Sequence, residues 1–157
     1  MTKRKLNATF NAGTKFALDW RDAHTEEWNG IIAAAVPDLL NKIEDLLAES
    51  TARTAKKFTA KGLTVYNGII EIALVQELMK QMTGIMECDA GMMLAEGITK
   101  SNIARAISMR PQNLLERYPD IENLADAQDR ADETGEPQTV DIQKTNTVRI
   151  VYPVPKD

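Results

Sequence analysis

Residues 99–120 read TKSNIARAISMRPQNLLERYPD, and the fold turns on this stretch. Thr99 or Ser101 can cap a short helix by accepting from a free backbone N–H in its first turn. Ile103, Ala104 and Ile107 then share one helical face. Ala104 is small where two helices would cross closely. Ser108-Met109-Arg110 fits a tight turn, with Met109 filling the gap between the helices. Pro111 suits the opening of a second helix, where its missing N–H costs nothing. Leu114, Leu115 and Tyr118 supply that helix's inner side. The pattern predicts a helix-turn-helix at 99–118 within a domain spanning 98–135.

The polar residues of the segment carry its chemistry. On the second helix Arg110, Gln112, Asn113, Glu116 and Arg117 lie off the apolar face. Arginine can grip guanine edges or phosphate, and glutamine and asparagine can pair with adenine. Arg110 at the helix start adds charge to amides that already favour phosphate. Lys100 and Arg105 are expected as phosphate contacts, which position a reader without specifying sequence. The expected partner is double-stranded DNA, bound through Lys100, Arg105, Arg110, Gln112, Asn113 and Arg117. The alternative is a helix pair that serves structure or binds protein, in a scaffold with no DNA contact.

The stretch IARAISMRPQNLLERYPDIENL, residues 103–124, resembles the helix-turn-helix of TetR-type transcriptional regulators. Those typically show an isoleucine–alanine pair, a glycine–valine–serine turn, a leucine–tyrosine pair, an aromatic residue and a final leucine. Ile103-Ala104 match the opening, and Ser108-Met109-Arg110 occupy the turn. Leu114-Leu115 stand at the leucine–tyrosine pair, Tyr118 at the aromatic position and Leu124 at the last leucine. Ser108 replaces the turn glycine, Arg110 the usual capping serine, Leu115 the tyrosine and Ile121 a frequent lysine. In that family the reader lies near the N-terminus, whereas here it lies toward the C-terminus. The resemblance therefore implies the local fold, DNA contact and a regulatory use, and not a ligand-binding domain.

Upstream, residues 1–13 read as a flexible arm made basic by Lys3, Arg4 and Lys5. Residues 14–97 read as a helical body with a dimerisation role. Within it, Phe16 and Trp20 are four apart on a first helix. Residues 31–57 form a second, with Leu39, Leu40, Ile43, Leu46 and Leu47 at helical spacing. Pro37 either opens that helix or kinks a longer one. Gly62 stops it. Residues 64–87 form a third, with Val65, Ile69, Ile72, Val75, Leu78, Met79, Met82 and Met86 recurring at three- and four-residue intervals. The methionines are read as core or interface filler. Residues 90–97 read as a short helix or turn ending at Gly97. Two amphipathic helices of such length need partner surface that a short chain hardly supplies, so a homodimer is expected. Its two readers would address half-sites one helical turn apart, or a multiple of that.

Downstream, residues 119–135 read as another helix, broken at Thr134–Pro137. The extension 136–157 carries a strand signal, with Val140, Ile142, Val148, Ile150 and Tyr152 expected on one face and a hairpin turn near Lys144–Thr147. The fold class expected is mainly α, with a small C-terminal β-strand or hairpin. The acidic segment or this strand could also hold a protein partner.

Composition bounds the rest. In 157 residues, hydrophobic residues are 43% and charged residues 27%, which suits a packed globular chain. The net charge is −4. The carboxylates gather at Asp120, Glu122, Asp126, Asp129, Asp132, Glu133 and Glu136, beside the reader and not within it. A single cysteine, Cys88, excludes an internal disulfide framework. Glu87 and Asp89 beside it are expected to raise its pKa, which argues against a reactive thiol. The single histidine, His24, has no spacing for a metal site. No nucleophile elbow or phosphate-cradling glycine loop occurs, so neither an enzyme nor a cofactor is expected. No signal-type or membrane-spanning apolar run is present, and a cytoplasmic location is expected.

Overall fold

A computed structural model describes residues 4–156. The helices are α1 (Ala8–Ala23), α2 (Thr25–Ala60), α3 (Asn67–Ala95), α4 (Lys100–Ala106), α5 (Leu114–Arg117) and α6 (Ile121–Thr134). A 3-10 turn, Pro111–Asn113, leads into α5. Strands β1 (Gln138–Ile142) and β2 (Thr147–Val151) pair antiparallel. The chain is thus mainly α with a C-terminal β-hairpin. No helix is long and apolar enough to cross a membrane among the described residues.

The chain divides into two compact units. One joins the N-terminal segment through Asp22 to everything from Met82 onward, and the other is Ala23–Gln81. This departs from the expected helical body at 14–97. Helix α1 belongs with the C-terminal elements, because its polar side chains bond to both ends of α4. Asn11 Oδ1 accepts from Thr99 N at 2.8 Å, and Arg21 donates to the carbonyls of Arg105 and Ala106 at 3.1 and 3.3 Å. Those carbonyls lie at the end of α4, beyond its regular helical bonds, and Ser108 N also bonds that of Arg105. The segment expected as a flexible arm is helical from Ala8, and Asn7 N bonds Gly97 O at 2.9 Å. Arg4 is ion-paired with Asp126 and Asp129. Lys3, part of the expected basic patch, lies outside the described residues.

The C-terminal unit holds the core. Ala90 and Leu94 of α3, Ile98 in the link that follows, Ile103 and Ala104 of α4, Leu114 of α5, Tyr118, and Ile121 and Ala125 of α6 pack together. Each large apolar side chain so buried contributes roughly 1.5–3 kcal/mol relative to exposure. The stretch expected as a separate element at 90–97 is the last part of α3. Gly97 stops it, with φ +87, Gly97 N bonded to Leu94 O and Ile98 N to Met93 O. That is a Schellman ending, whose left-handed residue favours glycine. Helix α6 buries Ile121, Leu124, Ala125, Gln128 and Ala131 at helical spacing and ends at Gly135, φ +73. Where α3 crosses it, a Cβ on Gly91 would lie 2.6 Å from Leu124 Cβ.

A second cluster joins Leu124 and Ala127 to Val140, Ile142 and Val151 of the hairpin. The expected strand face is corrected here. Val140 and Ile142 point inward, but Val148, Ile150 and Tyr152 are exposed. Val140 stands opposite Arg149 and Ile142 opposite Thr147. The turn occupies Gln143–Asn146. Directly paired residues share a face, so even-numbered residues of β1 align with odd-numbered ones of β2.

In the unit Ala23–Gln81, α2 runs unbroken through Pro37. Only Thr51 and Ile70 are buried there, with Ile43, Leu47, Phe58, Val65, Leu74 and Val75 partly so. Ile31, Ile32, Val36, Leu39, Leu40 and Leu46 of α2 are exposed, as are Ile69, Ile72, Leu78 and Met79 of α3.

Candidate nucleic-acid interface

The segment from Thr99 to Tyr118 forms two short helical pieces around a tight turn. Thr99 is extended, and its hydroxyl accepts from Asn102 N at 3.2 Å, capping α4. Helix α4 ends as α3 does. Ser108 is left-handed, φ 62, with Ser108 N bonded to Arg105 O and Met109 N to Ala104 O. A non-glycine residue in that conformation costs roughly 1–2 kcal/mol. Ser108 holds the position where the TetR-type pattern has its turn glycine. Arg110 is extended, which suits the residue before a proline, and Pro111 opens the 3-10 turn.

The inner side of this unit is closed. Ile103, Ala104 and Leu114 have no exposed surface, Tyr118 is 2% exposed, and Ile107, Met109 and Leu115 pack against them. On the outer side Arg110, Gln112, Asn113, Glu116 and Arg117 are all exposed. The second helical piece is short, a 3-10 turn followed by four α residues.

Two of the six expected DNA-contacting residues are engaged within the chain. Lys100 is ion-paired with Glu122. Arg105 donates to Asp19 Oδ1 at 2.8 Å and to Asp22 Oδ2 at 2.6 and 3.2 Å. Lys15 and Arg105 together hold the Asp19 carboxyl below its ordinary range. Arg105, then Arg21, does the same for Asp22. The Arg105 guanidinium is held above its own ordinary value by Asp22 and Asp19. The Arg105 pairs fasten α1 to α4 and the Lys100 pair fastens the start of α4 to α6, so both cations serve packing before any ligand. The remaining four, Arg110, Gln112, Asn113 and Arg117, are exposed along one segment.

A further cation arrives from the hairpin turn. Lys144 Nζ donates to Arg117 O at 3.0 Å and lies 4.8 Å from the centre of the Tyr118 ring. Arg117 itself lies 6.0 Å from that ring. Sequence reasoning missed Lys144, which is 27 residues from Arg117. Its only local signal was the turn composition that made it a loop residue. The structure thus leaves Arg110, Arg117 and Lys144 exposed, the last two beside Tyr118, with Glu116 the one carboxylate on the segment itself.

The base of the segment rests on a buried carboxyl pair. Asp120 and Glu87 have no exposed surface. Glu87 Oε1 accepts from Asp120 N at 2.8 Å, while Asp120 Oδ2 accepts from Gln143 N at 2.8 Å. Asp120 thereby ties the end of α5 to the hairpin turn that carries Lys144. Burial pushes the Glu87 carboxyl above its ordinary range, and the Asp120 charge adds to this. The Asp120 N–H and Lys144 oppose it.

The other residues weighed for chemistry lie apart from this surface. His24 is exposed between α1 and α2. Cys88 is half-buried, and burial is the leading cause that pushes its thiol up, with Glu87 and Asp89 contributing less. Among the described residues no three His, Cys, Asp or Glu side chains gather as metal ligands.

The chain matches no protein-family model, no curated protein and no solved structure.

Proposed function

We propose that this chain binds double-stranded DNA through the segment Arg110–Arg117, with a regulatory use at the bound site. One observation carries the reading. Arg110, Gln112, Asn113 and Arg117 are all exposed on a segment whose Leu114 and Tyr118 are locked into the core. Those four side chains combine phosphate grip with the groups that read guanine and adenine edges. The left-handed turn at Ser108 supports the resemblance to the TetR-type motif at the position where that motif has glycine. Lys144 joins Arg117 as a phosphate contact, in place of the engaged Lys100 and Arg105.

The test is retention of the purified chain on a mixed pool of short duplexes across a salt series. The Arg110→Ala and Arg117→Ala variants should each weaken binding about tenfold or more if they touch bases. Lys144→Ala should weaken all sequences alike and flatten the salt dependence. Absence of retention at low salt would overturn the proposal. A second reading, a helical protein-interaction role, is favoured by the exposed apolar residues of α2 and α3.

A further inference from the structure

Helix α2 is 36 residues long, and from Thr25 to Lys42 every residue but the half-buried Trp28 is exposed. A helix of this kind draws most of its stability from packing an apolar stripe, not from propensity. The stripe is present. Ile32, Val36, Leu39 and Leu46 follow one another at helical spacing and are 53%, 48%, 59% and 61% exposed. Half-buried Ile43 lies on this stripe, between Leu39 and Leu46, and at the middle of the helix. Pro37 sits inside this uncovered stretch. An interior proline costs roughly 3 kcal/mol, which tertiary contacts must offset if the helix is to stay continuous.

We infer that a second copy of this chain covers the stripe, with the two α2 helices antiparallel about a two-fold axis near Ile43. The first argument is area. Each exposed apolar side chain leaves on the order of 100 Å2 to cover, so Ile31, Ile32, Val36, Leu39, Leu40 and Leu46 of α2 together offer on the order of 600 Å2. A monomer ordinarily shows an apolar patch of only a few hundred Å2, and each partner in a standard interface gives roughly 800 Å2.

The second argument is charge, and it selects the occupant. Between Thr25 and Glu49, α2 carries Glu26, Glu27, Asp38, Glu44, Asp45 and Glu49 against Lys42 alone. From Ser50 to its C-cap Lys61 it carries Arg53, Lys56 and Lys57, followed by Lys61 itself, with no carboxylate. A helix acidic at one end and basic at the other is complementary to itself when reversed. A two-fold interface has that property, because each residue pair occurs twice. With the axis near Ile43, Leu39 meets the partner's Leu46, and Glu26 and Glu27 come beside the partner's Lys57 and Lys61. A parallel pair would instead set Glu26 and Glu27 against their own copies. This arrangement is independent of the DNA reading.

The test is sedimentation velocity of the full chain from low to high micromolar concentration, with far-UV circular dichroism on every variant. The wild-type chain should be a dimer. Leu39→Glu with Leu46→Glu should raise its dissociation constant at least a hundredfold. Glu26→Lys with Glu27→Lys should raise it about tenfold at low salt, and adding Lys57→Glu with Lys61→Glu should restore it to within about threefold. A helix-end effect alone would worsen with each reversal, so rescue distinguishes pairing between chains from local fraying. A wild-type chain that stays monomeric throughout overturns the inference, and failure of the rescue overturns the antiparallel arrangement.

Discussion

Ser108 and Glu87 show how much a single position can carry. At Ser108 the backbone is left-handed, φ 62. Glycine enters that region without the clash a Cβ makes, so Ser108→Gly should stabilise the fold by about 0.5–1 kcal/mol. Thermal melting checks this, and an unchanged or lower midpoint would contradict it. The turn was legible because Ser108-Met109-Arg110 separates two apolar patterns before Pro111. Glu87 was not legible as a buried acid, since its nearest partner is Asp120, 33 residues away. Burial raises its pKa in the folded chain. An acid raised in this way contributes fully below its unfolded pKa, and the contribution is lost as pH climbs through the folded value. Stability should therefore decline as pH rises above the ordinary glutamate range. Glu87→Gln keeps an oxygen for the Asp120 N–H and should remove that decline. Urea melts across pH check it, and parallel profiles for the two proteins would refute it.

At the scale of elements, close approach and capping decide the arrangement. Helix α3 crosses α6 at Gly91, where a Cβ would stand 2.6 Å from Leu124 Cβ. Gly91→Val must force the helices apart and should cost roughly 1–3 kcal/mol by denaturant unfolding. Thr99→Ala removes the oxygen that accepts from Asn102 N, and by the same measurement should cost about 1 kcal/mol. Helical periodicity had shown α6 and the two long helices well. It had not shown that residues 90–97 continue α3, because AGMMLAEG is too short to have a clear period of its own. The hairpin illustrates another limit. Alternation along each strand was readable, but the inward side of β2 depends on the register across the Gln143–Asn146 turn. That register places Val148 and Ile150 outside.

In the whole molecule the two units differ in how their helices are held. The C-terminal unit buries Ile103, Ala104, Leu114, Ile121 and Ala125 completely, whereas in the first half of α2 only Trp28 is even half-buried. Hydrogen exchange read by mass spectrometry at low protein concentration should find slow amides in α4 and α6 and fast ones across residues 25–42. Equal protection in both regions would contradict this. Raising the protein concentration should slow exchange at residues 25–42 if a second copy covers them.

By itself the sequence determined the helical character of the chain, the turn between α4 and the 3-10 segment, the inward side of the motif and the end of α6 at Gly135. These follow from periodicity, capping and backbone preference, which act over a few neighbouring residues. Only the tertiary structure decided which cations are engaged. Arg105 meets Asp19 and Asp22 across 86 and 83 residues, Lys100 meets Glu122, and Lys144 reaches Arg117 from the hairpin. It also decided that α1 belongs with α4 and not with α2. Ion pairs and packing form between segments that the chain brings together from afar, and no local pattern encodes which distant partner will arrive.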